Sequence, residues 1–221
     1  MVDLLNNRKR VFWEALLLTV VVFFLGLLIG IAYESAKSAE INEYYSISEV
    51  SLMDAFALNA MLDLDSKNCE TLAKANIEFA DRIYKEATLL ERYESAGKIT
   101  DEMEIIHKKY DTLRTFLWIN TLETSKRCEK NYSNVIYLYE YFSDDLTQKA
   151  KQSVWSKILS DLKEKEGNNI LLIPIAVDSN LTSLNSLLFK FNITDYPVLL
   201  IDEKYLVYEL SSVSELNEYL D

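Results

Sequence analysis

An uninterrupted apolar run near the N-terminus, Val11–Tyr33, constrains the fold of this chain more than any other feature. From Ala15 to Tyr33 it carries no charge, and at about 1.5 Å per residue it spans roughly 28 Å, close to the thickness of a hydrocarbon core. A helix inside a soluble protein seldom stays apolar on every side over this length. The run therefore predicts a single transmembrane helix, with the lipid bilayer as its partner through residues 11–33.

The charges that flank the run predict its orientation. Arg8, Lys9 and Arg10 precede it and Glu34 follows it, and positive charge favours the cytoplasmic side of a membrane. We therefore expect a single-pass protein of the cell membrane with a cytoplasmic N-terminus and an extracytoplasmic C-terminal domain. A cleaved signal peptide is the alternative, because the basic segment suits one. The apolar run is unusually long for that role, so we favour an uncleaved signal anchor.

Gly26 and Gly30 within the run have the spacing that lets two membrane helices approach closely. This pattern is short and common in apolar helices, so two lipid-facing glycines are an equal interpretation. A homodimer through these glycines, or through the helical hairpin predicted below, stays open.

Composition limits the classes of function. A hydrophobic content of 49% with two prolines and four glycines indicates long helices and a packed core rather than disorder. The net charge of -12 argues against a nucleic-acid partner, because phosphate binding needs clustered lysine and arginine. His107 is the only histidine and no cysteine stands near it in the sequence, so we predict no metal site and no cofactor.

Between Glu34 and Arg127 the pattern is helical. Ser46–Glu49, with the sequence SISE, matches a capping box and predicts a helix start ahead of the apolar stretch Val50–Leu64. That stretch is too apolar to be exposed, and we expect it to pack on the C-terminal domain.

Two amphipathic segments then predict an antiparallel helical hairpin with coiled-coil spacing. Apolar residues recur three and four positions apart in each segment: Ala73, Ile77, Ala80, Tyr84, Ala87 and Leu90 in the first, and Ile99, Met103, Ile106, Tyr110, Leu113 and Leu117 in the second. Gly97 supplies a helix stop and Thr100 the next N-cap, which places the tip near residues 97–99. At helical rise the hairpin would protrude by roughly 40 Å.

Both cysteines of the chain flank this hairpin. Cys69 and Cys128 are nearly equidistant from Lys98, so an antiparallel hairpin brings them together at its open end. A disulfide persists outside the cytoplasm, and we favour a structural one. A redox-active pair is the alternative, although Glu70 beside Cys69 disfavours a reactive thiolate.

After residue 130 strands and helices alternate. The predicted strands are Asn134–Phe142, Ile170–Val177, Val198–Ile201 and Tyr205–Leu210, and the predicted helices are Leu146–Glu166, Leu184–Phe191 and Val213–Leu220. The last two strands form a β-hairpin. The order β-α-β-α-β-β-α indicates a mixed sheet with helices on both faces, the first strand inside and the second, which contains Pro174, at an edge.

The segment Leu184–Asp202 resembles thioredoxin-fold proteins, with a helix that ends at Phe191 and then the sequence Tyr196-Pro197-Val198-Leu199-Leu200. In that family the proline peptide bond is cis, and the backbone beside it contacts extended substrates. The resemblance implies a groove at Thr194, Asp195, Tyr196 and Pro197. The chain as a whole looks like membrane-bound thioredoxin-like proteins of archaea.

The family's CxxC motif would lie between the first strand and the first helix of this domain. That place reads Phe142–Gln148 here, FSDDLTQ, without a cysteine. The degenerate active-site position is therefore Ser143, Asp144 and Asp145, and dithiol exchange at this position is excluded by composition. No histidine stands near Ser143 in the sequence to activate it, so we interpret it as a helix cap.

Together these features predict a redox-inactive binding, scaffold or chaperone-like accessory protein that has no catalytic residue and binds an unidentified protein. The alternatives are a thiol-disulfide oxidoreductase that uses Cys69 and Cys128, and a structural subunit of a membrane complex. We expect three parts: a cytoplasmic tail and anchor (residues 1–33), a helical region with the hairpin (34–130) and a thioredoxin-like domain (131–221).

Overall fold

The computed structural model describes residues 2–61, 69–96, 101–129 and 132–220. Within them the chain is mostly helical, with a four-stranded mixed sheet. The helices are α1 (Val2–Met61), α2 (Cys69–Ala96), α3 (Asp101–Arg127), α4 (Leu146–Glu166), α5 (Thr182–Lys190) and α6 (Val213–Leu216), and the strands are β1 (Ser133–Tyr139), β2 (Ile170–Ala176), β3 (Val198–Ile201) and β4 (Tyr205–Val207). Residues 1–44 and 45–221 form two compact units.

The N-terminal unit contains a helical segment, Arg10–Ala36, that is long and apolar enough to cross a membrane. Its apolar side chains are exposed, as a lipid-facing helix requires. Arg10 Nε donates to the Glu14 carboxylate at 3.0 Å, so this carboxylate is paired beside the apolar run. A Cβ added at Gly26 or Gly30 meets no described atom within 4 Å.

Helix α1 continues through Ser46–Glu49, so the predicted helix start at this point is wrong. A capping residue must leave the helical conformation, and all four of these residues are helical in the structure. Beyond them Leu52 is fully buried, and the Phe56 ring meets the Phe116 ring of α3 with centroids 5.8 Å apart. This contact joins the apolar stretch to α3. Residues 62–64 lie outside the described residues.

Helices α2 and α3 pack together as an antiparallel pair. The Cys69–Cys128 disulfide joins them at one end, and two turns further along Asn120 Nδ2 donates to Asn76 Oδ1 at 2.8 Å. The hairpin tip, residues 97–100, lies outside the described residues, as do the side chains of Ala87, Leu90 and Met103.

The predicted apolar seam is found on α3 but is displaced by one residue on α2. On α3 the buried residues include Ile106, Tyr110, Leu113 and Leu117, as predicted. On α2 the buried row is Leu72, Asn76, Phe79 and Ile83, with Ala80 beside it, while Ala73, Ile77 and Tyr84 are half-buried. Both rows have helical spacing. The buried row contains the polar Asn76, so a search for apolar residues alone selects the other row. In the core the Asn76 amide oxygen accepts a hydrogen bond from Asn120.

Helices α2 and α3 both pack on the edge strand β2. On the same side the Trp118 ring of α3 stacks on Phe191, which ends α5, with centroids 5.5 Å apart. The side of the sheet that α2 and α3 cover is called the hairpin face. The sequence did not predict that the hairpin packs on the sheet.

The strand order in the sheet is β2-β1-β3-β4. Strands β1 and β2 are parallel, and β3 runs antiparallel to β1 and to β4. This order places β1 inside the sheet and β2, with Pro174, at an edge. Strand β1 ends three residues before the predicted Phe142, because the Gln152 amide binds both the N–H and the carbonyl of Glu140 at 2.8 Å.

Side chains on the sheet alternate between two cores, as the pleat of a strand requires. One face of the sheet packs against α4 and α6 and includes Val135, Tyr137, Leu172, Leu199, Trp155, Leu159 and Leu216. The intervening buried residues, such as Ile136, Leu138 and Leu200, point to the opposite face. Helices therefore cover both faces of the sheet.

Candidate functional site

A surface pocket of about 330 Å³ opens beside Pro197. It is lined by Lys151, Asp195, Tyr196, Pro197, Tyr208 and Glu209. The Tyr196–Pro197 peptide bond is cis, and Pro197 stands immediately before β3. Of the four predicted groove residues, Asp195, Tyr196 and Pro197 line the pocket. The fourth, Thr194, donates its hydroxyl hydrogen bond to the Asp195 carboxylate at 2.9 Å.

The first two turns of α4 hold the backbone beside this pocket. Gln148 Nε2 donates to the backbone carbonyl of Tyr196 at 2.7 Å. Gln152, four residues further along the same helix face, binds both backbone groups of Glu140. The two glutamines therefore connect the segment that follows β1 with the segment that precedes β3.

Lys151 forms the opposite wall of the pocket. Its ammonium donates to the Tyr208 carbonyl at 3.1 Å and to the Glu209 carboxylate at 3.3 Å, and it lies 5.2 Å from the centre of the Trp155 ring. The carboxylate of Glu209 is almost fully exposed, so this ion pair adds little stability. Its role is to position the chain that leaves β4.

The pocket carries a neutral phenol among carboxylates. Partial burial raises the pKa of the Tyr196 side chain, and the nearby charges of Glu140 and Asp195 raise it further. The phenol therefore stays protonated at neutral pH and can donate a hydrogen bond to a ligand.

The residues that the thioredoxin resemblance would place at an active site, Ser143, Asp144 and Asp145, lie just before α4. Asp145 is the N-cap of this helix, and its carboxylate accepts from the Thr147 N–H at 2.8 Å. The segment of residues 143–145, which the sequence predicts to cap α4, thus supplies the cap through Asp145. Ser143 is not the capping residue, because α4 begins at Leu146 and the capping position is the residue before it. Ser143 is half-buried, while Asp144 and Asp145 are exposed.

The disulfide lies elsewhere in the fold, where α2 begins and α3 ends. Cys69 and Cys128 are joined with their Cα atoms 5.7 Å apart. Cys128 is buried and Leu72 packs against it. The pair uses both cysteines of the chain, so no thiol is left for the pocket beside Pro197.

Sequence reasoning missed Gln148, Lys151, Tyr208 and Glu209 as neighbours of Pro197. The available signal was a polar row on α4, since Gln148, Lys151 and Gln152 are spaced three and four apart on one face. Sequence reasoning also gave no role to Asp111, which directly follows Tyr110 of the apolar seam of α3 and has Arg114 three positions further on. The described residues include no group of three or more histidine, cysteine, aspartate or glutamate side chains arranged to hold a metal ion.

Comparisons with known proteins add little to this description. No family model matches the chain, and no curated protein matches it. One solved structure that matches is described as thioredoxin-2, a component of the malaria parasite protein secretion machinery. It is 20% identical, the match covers 41% of this chain and 82% of that one, and the TM-score is 0.31. A likeness of this size carries no argument about the present chain.

Proposed function

We propose that this chain is a membrane-anchored binding protein whose C-terminal part has a thioredoxin-like fold without thiol chemistry. The observation that carries this proposal is the pocket beside Pro197, which is lined by two tyrosines and has no cysteine available to it. Its partner is another protein, bound as an extended segment. Neither a nucleic acid nor a cofactor has a part in this function.

The fold assignment is supported by the order of elements after residue 132 and by the sheet. The elements follow the order that the resemblance implies: two parallel strands with a crossover helix between them, and then a terminal antiparallel hairpin. Pro197 precedes the first strand of that hairpin. The proposed parts remain residues 1–33, 34–130 and 131–221, although the hairpin and the sheet domain pack together.

The proposed membrane arrangement is supported by the apolar segment Arg10–Ala36 and the basic residues at its start. A disulfide in the rest of the chain suits an extracytoplasmic location. Protease added to intact cells should remove the C-terminal domain, while an N-terminal tag should stay protected. Protection of the C-terminal domain would contradict this orientation.

The surroundings of Tyr196 define how a segment would bind. Strand addition uses backbone groups, and the Tyr196 carbonyl already accepts from Gln148 at 2.7 Å. A ligand strand must therefore displace Gln148, or bind through the tyrosine side chains and leave this carbonyl occupied. Replacing Gln148 by alanine separates the two modes, because it strengthens binding only in the first.

The binding proposal is tested by site-specific photo-crosslinking in native membranes. A crosslinking amino acid at Glu209, whose side chain is 89% exposed at the pocket rim, should capture a defined protein. The same amino acid at Glu123 on α3, 48% exposed, serves as the control and should not capture it. Tyr208→Ala should abolish the Glu209 product without unfolding the protein. Equal capture from both positions, or capture that survives Tyr208→Ala, would refute a specific groove.

Two alternatives remain distinguishable. An oxidoreductase needs an accessible sulfur, and the burial of Cys128 disfavours that role. If the disulfide of the folded protein is reduced by dithiothreitol as fast as an exposed model disulfide, the oxidoreductase gains support. A structural subunit, or a homodimer through Gly26 and Gly30 or the hairpin, would instead show as a stable complex in mild detergent that Tyr208→Ala does not disturb.

A further inference from the structure

A second pocket, away from Pro197, lies where the parallel strands β1 and β2 end. Tyr141 and Phe142 follow β1, and Asp178 to Asn180 follow β2; all of them line it, and α3 covers it with Glu104, His107, Lys108 and Asp111. The chain leaves β1 toward α4 on one face of the sheet and leaves β2 toward α5 on the hairpin face. This crevice is therefore a topological switch point, the place where open α/β sheets bind ligands.

Asp111 gives the pocket an unused acceptor. Its side chain is 1% exposed, and Oδ1 accepts from Arg114 at 3.3 Å and from the Ala176 N–H at 3.2 Å. Oδ2 accepts no hydrogen bond from the described residues. A buried carboxylate oxygen without a donor costs free energy, which a bound donor would recover.

Charge and size restrict what the pocket can hold. Asp111, Asp178 and Glu104 surround it, and Lys108 is the one lysine or arginine among its described lining residues, so an anion is disfavoured. The two Asp178 oxygens already accept from the Tyr141 and Phe142 N–H groups at 3.0 and 2.6 Å. The described residues of this pocket are not among any group of three or more histidine, cysteine, aspartate or glutamate side chains that could hold a metal ion. The volume is about 50 Å³, so only a small group can enter the pocket.

We propose that this pocket binds a primary ammonium group, which donates to Asp111 Oδ2 while the Glu104 carboxylate at the rim attracts its charge. The source is either a lysine side chain of a partner protein or a free alkylamine. The His107 and Tyr141 rings pack against each other in the lining of the pocket, with centroids 4.0 Å apart. Burial raises the pKa of the Asp111 carboxyl by disfavouring its charged form. A cation bound next to this carboxyl would favour the charged form.

The only histidine of the chain reports on this site. In the full-length protein in detergent micelles, at constant pH and ionic strength, methylammonium chloride should shift the His107 imidazole NMR signal in a saturable way. Tetramethylammonium, which has the charge but no N–H donor, should not. A saturable shift with both cations, or with neither, would overturn the proposal.

Two variants test the assigned contacts. Glu104→Gln, an exposed change that leaves Asp111 and Arg114 in place, should weaken methylammonium binding about threefold, as loss of an exposed ion pair does. Glu123→Gln, an exposed glutamate further along α3, should leave the affinity unchanged. Asp111→Asn should abolish binding in protein whose melting curve shows that it is folded. If Glu104→Gln leaves the affinity for methylammonium unchanged, the proposed site is refuted, whatever the Asp111 variant shows.

The source of the ammonium is decided by a comparison of two ligands. Nα-acetyl-lysine methylamide represents a lysine within a polypeptide, and butylammonium has a similar side chain without the amide groups. Tighter binding of the lysine derivative would assign the pocket to a partner protein, and tighter binding of butylammonium to a free amine. Either result supports an ammonium site and is independent of the groove beside Pro197.

Discussion

The side-chain amide of Gln148 donates to the backbone carbonyl of Tyr196 at 2.7 Å, across 48 positions of sequence. The bond fixes the start of α4 against the segment that enters β3. In the same turn of α4, Lys151 binds the chain that leaves β4. Both walls of the pocket beside Pro197 are therefore held by one helix.

Replacing Gln148 by alanine should lower the free energy of unfolding by about 1 kcal/mol, the usual net value of one hydrogen bond of this kind. Lys149→Ala, at the adjacent exposed position, is the control and should have little effect. Urea denaturation of both variants measures the difference. An equal loss in the two would show that the bond to Tyr196 does not stabilise the fold.

Removing the disulfide with Cys69→Ala and Cys128→Ala should destabilise the unit that contains the hairpin. The bond links residues separated by 59 positions, and the chain-entropy model gives about 4 kcal/mol for a loop of this length. Thermal denaturation of the double variant, compared with wild type under non-reducing conditions, measures the effect. Mass spectrometry of alkylated wild-type protein should find no free thiol. An unchanged melting temperature would mean that the disulfide has no structural role.

The buried ion pair between Asp111 and Arg114 predicts strong non-additivity. Their side chains are 1% and 4% exposed, so Arg114→Met leaves a buried carboxylate without its counter-charge and should cost about 3–5 kcal/mol. Adding Asp111→Asn should recover most of this loss, because asparagine still accepts from the Ala176 N–H. Chemical denaturation of the single and double variants tests the coupling. If the losses in the free energy of unfolding are additive, Asp111 and Arg114 are not energetically coupled.

Stability should depend on pH through Asp111. Burial raises the pKa of this carboxyl above the ordinary value of 3.8, against the opposing effect of Arg114. The folded state therefore holds the proton more tightly than the unfolded state. This contribution is fully present below pH 3.8 and is lost as the pH rises through the folded-state pKa. Relative to wild type, the variant with Asp111→Asn and Arg114→Met should gain stability as the pH rises above that value. A constant difference across this range would contradict the assignment.

The turn between β3 and β4 predicts a sharp preference at Asp202. Its backbone has a φ of 48°, and its carboxylate accepts from the Asn134 N–H at 2.9 Å. Asp202→Ala loses this bond and strains the backbone, so it should cost about 2 kcal/mol. Asp202→Asn keeps an acceptor and tolerates the left-handed conformation, and should stay close to wild type. The melting temperatures of the two variants are compared. Equal values would show that neither the hydrogen bond to Asn134 nor the left-handed backbone determines the preference at Asp202.

Much of the local structure follows from the sequence alone. The bounds of α4 and β3 agree with prediction, because apolar spacing and short polar links act over a few residues. The apolar segment at the N-terminus is equally local, since its length and lack of charge are read directly from the residues. The pairing of Cys69 with Cys128 followed from their nearly equal distances from Lys98 in the sequence.

Only the tertiary structure decided which of two equivalent rows of α2 is buried and which side chains surround Pro197. Each of these depends on partners far away in the sequence. The buried Asn76 accepts a hydrogen bond from Asn120, 44 positions away, and Gln148 donates to Tyr196 across 48 positions. Local patterns specify the preference of a segment for helix or strand, but a buried polar group is stable only where folding brings its hydrogen-bond partner within reach.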